Sequence, residues 1–217
     1  MDAALARPIL ETDTRDDIMD VGEVVGVKDA TLGMTVVKSG RTTGMTSGIV
    51  NVLDATVTVG YGESRTAAFE NQIVTTPMSE GGDSGSLMLE SGSGLAVGLL
   101  FGGSSQATLF NPIQAVLDGL QVDFPIIRAK STSGRRTEIE RIQAVKDAHL
   151  VELLAKPNVV GVGIKRVVDE EPSSRLGLVV MVTQKLPALL LAPEDIIPSE
   201  IDGVPVEVQE VGEFSAQ

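Results

Sequence analysis

One serine in this chain is set up for nucleophilic chemistry. The run Gly82-Asp83-Ser84-Gly85-Ser86-Leu87 places a hydroxyl between two glycines. Glycine adopts backbone conformations closed to other residues, so Gly82 and Gly85 let the loop turn its amide groups toward one point, where they would stabilise a developing negative charge. A serine hydroxyl is a poor nucleophile without an adjacent base. The obvious base is an imidazole, and the chain has one histidine, His149. It follows the serine and falls beside Ile142 and Val145 on the apolar stripe of an expected helix, which makes it a histidine at the edge of a packing face. Lys38 and Lys146 are the other candidate bases, and nothing in their spacing favours a Ser-Lys dyad. With no imidazole to orient, Asp2 and Asp54 have no orienting role to fill. One histidine and no cysteine leave only carboxylates for a metal, none at calcium-binding spacing, so no metal and no cofactor are expected. Gly161 and Gly163 lack the strand-turn-helix context of a phosphate loop.

The elements that must carry this loop are short strands. From Gly33 to about Val122, apolar runs alternate with glycine-bearing turns: Met34 to Val37, Ser47 to Val59, Thr66 to Val74, Ser86 to Leu89 and Leu95 to Phe101 read as strands of a β-barrel. Ile113, Val116, Leu117 and Leu120 recur at helical spacing and close this unit with a helix. The small, polar and basic stretch from Arg128 to Arg136 reads as a linker. Beyond it, Thr137 to Ala155 is a helix ended by Pro157, and Asn158 to Val168, Leu176 to Thr183 and Val204 to Val211 are strands. The charged run Asp169 to Ser174 is read as a hairpin turn, and Pro193-Glu194-Asp195 as a helical turn. The expected organisation is a barrel with an N-terminal lead-in over 1–125, a linker over 126–136 and a small α+β module over 137–217. The fold class is therefore mostly β plus α+β.

Composition narrows the partners. With 17 basic and 30 acidic residues the net charge is −13, which disfavours nucleic acid and anionic membrane surfaces. Zero cysteines make the chain independent of an oxidising compartment. No basic start leads into an apolar run, and the longest apolar stretches are far short of the roughly 20 residues of a membrane span. A cytoplasmic location is the expectation.

Four features in order resemble the second barrel of chymotrypsin-like serine peptidases of bacterial type. They are Gly33 to Gly44 followed by Gly48-Ile49-Val50, the Gly-Asp-Ser-Gly-Ser-Leu loop, Ala96 to Gly103, and Asn111-Pro112-Ile113 with the helix after it. The resemblance implies a chymotrypsin-like barrel in which Ser84 is the nucleophile, the N–H groups of Gly82 and Ser84 form an oxyanion hole, and Asp83 is buried in support of the loop. It also implies a substrate edge at Phe101, Gly102 and Gly103, with Met78 at the base of the specificity pocket and the two glycines leaving that pocket open. In such enzymes the chain order is His, Asp, Ser, with the base on a first barrel. That barrel is missing here. The later segments Asn158 to Lys165, Lys185-Leu186-Pro187 and Ile197 to Val208 resemble a module that precedes the peptidase in some bacterial trypsin-like proteins, a group to which the plant Narrow Leaf protein is similar. Asp2 to Pro8 looks like the segment just after a first barrel, and Glu213-Phe214 like the point where one would begin.

Two functions follow as expectations. The first is a permuted or split half of a serine peptidase, inactive alone, with polypeptide as substrate and a partner chain supplying the first barrel. The second is a non-catalytic binding or regulatory scaffold that adds a strand beside Leu99 to Gly103. In either case, the barrel face that would meet a first barrel should be covered, by the module or by a second copy in an oligomer.

Overall fold

The computed structural model describes residues 1–10, 12, 14–15, 17–123, 127–128, 136–167 and 175–217. Strands β1 (Asp17–Ile18), β2 (Gly22–Glu23) and β3 (Gly26–Val27) lead into β4 (Thr35–Gly40), β5 (Gly44–Gly60), β6 (Thr66–Thr75), β7 (Leu87–Glu90), β8 (Leu95–Gly103) and β9 (Thr108–Pro112). Helix α1 (Ile113–Leu120) follows, then β10 (Ile127–Arg128), α2 (Arg136–Ala155), β11 (Val159–Val167), β12 (Arg175–Val182), β13 (Glu200–Ile201), β14 (Val204–Glu210) and β15 (Ser215–Ala216). The expected linker lies largely outside the described residues, though β10 inside it pairs in parallel with β3. The expected turn at 169–174 lies outside them as well. Residues 193–195 form a single 3-10 turn.

Strand β5 organises the molecule. Its buried valines change phase, from Val50 and Val52 to Val57 and Val59, and a strand can do that only by inserting an extra residue. The register against β6 shifts between Val52 and Ala55 and again before Val57, and Asp54 adopts a positive φ of 48°. The resulting bend divides one edge of β5 between two neighbours. Residues 44–49 pair with β4, and residues 52–57 pair with β11. The barrel sheet therefore runs on into the module through β5, β11, β12 and β14.

Strand β12 shows why its sequence is apolar without alternation: both of its faces are covered. Leu178 and Val180 pack with Ile142 and Leu153 of α2, while Val179 and Met181 join Val57, Phe69, Phe101 and Leu109 of the barrel. The module thus packs on a barrel face through Val179 and Met181. A separate barrel core surrounds Val36, Met88, Leu100 and Phe110. At the bend, Lys146 of α2 is buried and donates to the Asp54 carbonyl at 2.8 Å and to its carboxylate at 2.5 Å. Burial pushes the Asp54 carboxyl up, and Lys146 opposes that rise. Among the described residues no helix is long and apolar enough to cross a membrane.

Candidate active site

The loop from Glu80 to Ser86 leaves the barrel between β6 and β7, and a buried carboxylate shapes it. Asp83 is 1% exposed. Its Oδ1 accepts the backbone N–H groups of Thr42 (2.8 Å) and Thr43 (3.2 Å). Its Oδ2 accepts from Lys38 Nζ (2.9 Å), Thr43 Oγ1 (2.6 Å) and the Glu80 N–H (3.1 Å). Lys38 is fully buried and also donates to Thr43 Oγ1. Burial alone would raise the Asp83 carboxyl, but the Lys38 ammonium, the Thr43 hydroxyl and the backbone donors outweigh it and hold it well below the usual carboxylate range. The charge therefore stays on Asp83, and its role is to anchor the loop to the β4–β5 turn.

That anchoring presents Ser84 outward. The residue is exposed, and its Oγ lies 3.4 Å from the Phe101 carbonyl oxygen. Gly82 has a φ of 101°, a conformation that favours glycine, and the Arg41 and Thr42 side chains lie over the position a Cβ would take. The N–H of Asp83 bonds to Glu80, that of Gly85 to Leu100 and that of Ser86 to Asp83. Among the described residues, the N–H groups of Gly82 and Ser84 have no acceptor. Two unpaired amides flank an exposed hydroxyl, which is the arrangement an oxyanion needs.

The other sequence candidates fall as follows. Met78 is buried in the barrel core among Met34, Val36 and Met88. Its side chain packs against Gly48, where a Cβ would lie 2.7 Å from Met78 Sδ. Its neighbour Ser79 reaches Gln217 Oε1 through Oγ at 2.6 Å, so Ser79, Ser84 and the Phe101 carbonyl border the cleft that residues 215–217 fill. Phe101 places its ring in the joint core, 5.0 Å from that of Phe69, and offers only its carbonyl to the cleft. Gly102 and Gly103 belong to β8 rather than to a turn; β15 runs antiparallel along them, pairing Ala216 with Gly102 and Ser215 with Gly103, and the Gln217 side-chain amide nitrogen lies 3.0 Å from where a Gly103 Cβ would stand.

His149 is not brought to Ser84. Its Nε2 donates to Asp202 Oδ2 at 2.9 Å, with Glu152 3.9 Å from Nδ1, at the edge of the module. Lys38 and Lys146 are committed to Asp83 and Asp54. Asp2 accepts from Tyr61 Oη and pairs with Asn111 through both its backbone groups. Among the described residues no group of three His, Cys, Asp or Glu side chains is placed to hold a metal.

Reading the sequence for nucleophiles missed Lys38 as the partner of Asp83. The signal was present: Val36 and Lys38 lie on one face of β4, so a lysine shares the phase of a core valine and requires a buried acid opposite.

No protein-family model matches the chain. Over 94 residues it is 38% identical to streptogrisin-D of Streptomyces griseus, a match covering 41% of this chain and 22% of that protein. Over 82 residues it is 37% identical to serine protease 2 of Streptomyces fradiae, covering 38% of this chain and 44% of that one. A solved structure, Cellulomonas bogoriensis chymotrypsin, shares 32% identity over 45% of this chain and 52% of its own, with a TM-score of 0.39. About half of the chain has the fold of chymotrypsin-like serine peptidases. The chain spans less than half the length of the curated relatives it matches.

Proposed function

We propose that this chain is the nucleophile-bearing half of a serine peptidase, whose histidine and aspartate come from polypeptide outside these 217 residues. The supporting observation is the loop: an exposed Ser84 Oγ between two amides without acceptors, held by a buried carboxylate that is itself fully satisfied. Such a loop binds and stabilises, but without a base it cannot deprotonate its serine. Triads that lose the base keep only the residual catalysis of oxyanion hole and binding, several orders of magnitude down. A polypeptide is the substrate class that fits, because the β8 edge that β15 occupies pairs with extended backbone.

The test is labelling of Ser84 by a fluorophosphonate, read as a mass increase on the intact chain, with and without cell lysate or a candidate first-barrel polypeptide. Label should appear only with the complementing polypeptide and disappear in Ser84→Ala. No label under any condition defeats this reading. It would favour instead a binding scaffold that kept the loop and uses the β8 edge for strand addition. The occupied state of that edge is the observation on that second reading's side.

A further inference from the structure

The segment against β8 is not generic strand filler. Phe214 is buried in the joint core, and its carbonyl accepts the Gly60 N–H at 2.9 Å, so the chain enters the cleft from a fixed point. Ser215 and Ala216 pair with Gly103 and Gly102, and a Cβ at Gly102 would lie 2.9 Å from the Ser215 carbonyl oxygen. The N–H of Gln217 then donates to the Phe101 carbonyl at 3.2 Å. That carbonyl is the same one that Ser84 Oγ approaches, so Gln217 is the residue of the segment seated against the nucleophile.

The Gln217 side chain is read by a chain of hydroxyls. Ser79 Oγ donates to Gln217 Oε1 at 2.6 Å and lies 3.0 Å from Thr108 Oγ1, which in turn accepts the Met78 N–H at 3.0 Å. A side-chain carbonyl oxygen only accepts, so the single proton of Ser79 goes to Gln217 and the proton of Thr108 goes to Ser79. The relay therefore runs from the Met78 N–H through Thr108 and Ser79 and presents a donor to the cleft. An ammonium or guanidinium only donates, so either the Ser79 proton or, with the relay reversed, the buried Thr108 proton would lose its acceptor. A carboxylate would bring a charge to hydroxyls with no cation bonded there among the described residues.

We propose that the cleft beside Ser84 is a glutamine-selective peptide site, with Ser79 as its specificity-determining residue, and that residues 215–217 occupy it in cis as a built-in competitor. This rests on reading β8 as a peptide edge but not on a catalytic base. A substrate or partner strand in trans must displace the segment, which holds its place at the millimolar effective concentration of a short tether.

The experiment is fluorescence anisotropy with a labelled peptide copying residues 213–217, and with the same peptide ending in alanine, lysine or glutamate. The proteins are the unaltered chain, Gln217→Pro, which removes both the donor and the side chain, and Gln217→Ala as a milder release. Circular dichroism checks that each is folded. The glutamine peptide should bind Gln217→Pro about tenfold or more tightly than the unaltered chain. It should also be preferred about three- to tenfold over the alanine peptide, and that preference should vanish when Ser79→Ala is added. Equal binding of the four peptides, or equal binding to the released and unaltered chains, overturns the inference. So does absence of binding to both folded released variants. Failure of fluorophosphonate labelling leaves this binding result untouched, so the two readings fail separately.

Discussion

Replacing Asp83 by asparagine tests the physical basis of the loop. Five donors converge on the two carboxylate oxygens, three on Oδ2 and two on Oδ1. An asparagine can present an acceptor to only one of those groups. With its amide nitrogen toward Oδ2 it opposes the Lys38 ammonium and the Glu80 N–H, and in the flipped orientation it opposes the N–H groups of Thr42 and Thr43. In both orientations Lys38, whose side chain is 0% exposed, loses the carboxylate that pairs with it. Breaking one partner of a buried pair costs about 3–5 kcal/mol, out of a total stability of about 5–15 kcal/mol. With a urea dependence of about 2–3 kcal/mol per molar, the unfolding midpoint of Asp83→Asn should fall by roughly 1–2 M at pH 7. The pH dependence separates charge from shape. A carboxyl held below its ordinary value stabilises the fold fully above that value, about 3.9, and loses its contribution as pH falls toward the folded one. The gap between the two proteins should be flat from pH 8 to 5 and narrow only below about pH 4. A midpoint shift under about 0.3 M at pH 7, or a gap that stays constant into acid, would refute the reasoning.

Three further outcomes follow from the same geometry. Gly82→Ala, which would place a Cβ against Arg41 and Thr42 at a φ of 101°, should cost roughly 1–3 kcal/mol in urea unfolding and lower fluorophosphonate labelling of Ser84 in the complemented protein. Lys146→Met leaves the Asp54 carboxyl at the β5 bend without its cation. Because burial already raises that carboxyl, it can escape the penalty by taking up a proton, so the loss of about 3 kcal/mol at pH 7 should shrink at pH 5. His149→Ala removes a half-exposed contact with Asp202 and should cost less than about 1 kcal/mol, leaving Ser84 labelling in the complemented protein unchanged.

Much of the barrel was legible because its strands obey local rules. Alternation and glycine turns placed β4 to β8 within a few residues, and helical spacing placed α1 and α2. What escaped depends on partners distant in sequence. Thr108–Pro112 forms β9 by pairing with β6 and β8, in a stretch where no strand was expected. The two-residue strands β3, β10 and β15 carry no periodicity at all. The turn at Gly82, Asp83 and Ser84 was legible, because the residues that shape it are adjacent in sequence. Its support was not: Lys38 lies 45 positions from Asp83 and Ser79 lies 138 from Gln217. The packing of Met78 depends on a distant partner too. Spacing from Ser84 fixes its position along the chain, but the space beside Gly48 decides which way its side chain turns.

The module and the cleft are mechanically one object. Strand β12 sends Val179 and Met181 into the core that holds Phe101, and the same segment of chain that leaves β14 contributes Val211 and Phe214 to it. Phe101 thus fixes the outer face of β8 through its ring while its carbonyl faces Ser84 and Gln217. Displacing residues 215–217 removes the pairing with Gly102 and Gly103 and the Gln217 bonds to Phe101 and Ser79, while Phe214 remains anchored in the core. An incoming strand can therefore replace the segment without opening the joint core, and the cost of displacement is confined to a few hydrogen bonds of about 1 kcal/mol each. Had the segment been anchored instead by a buried residue at position 216 or 217, exchange would require unpacking the core, and the cleft would be closed to any partner.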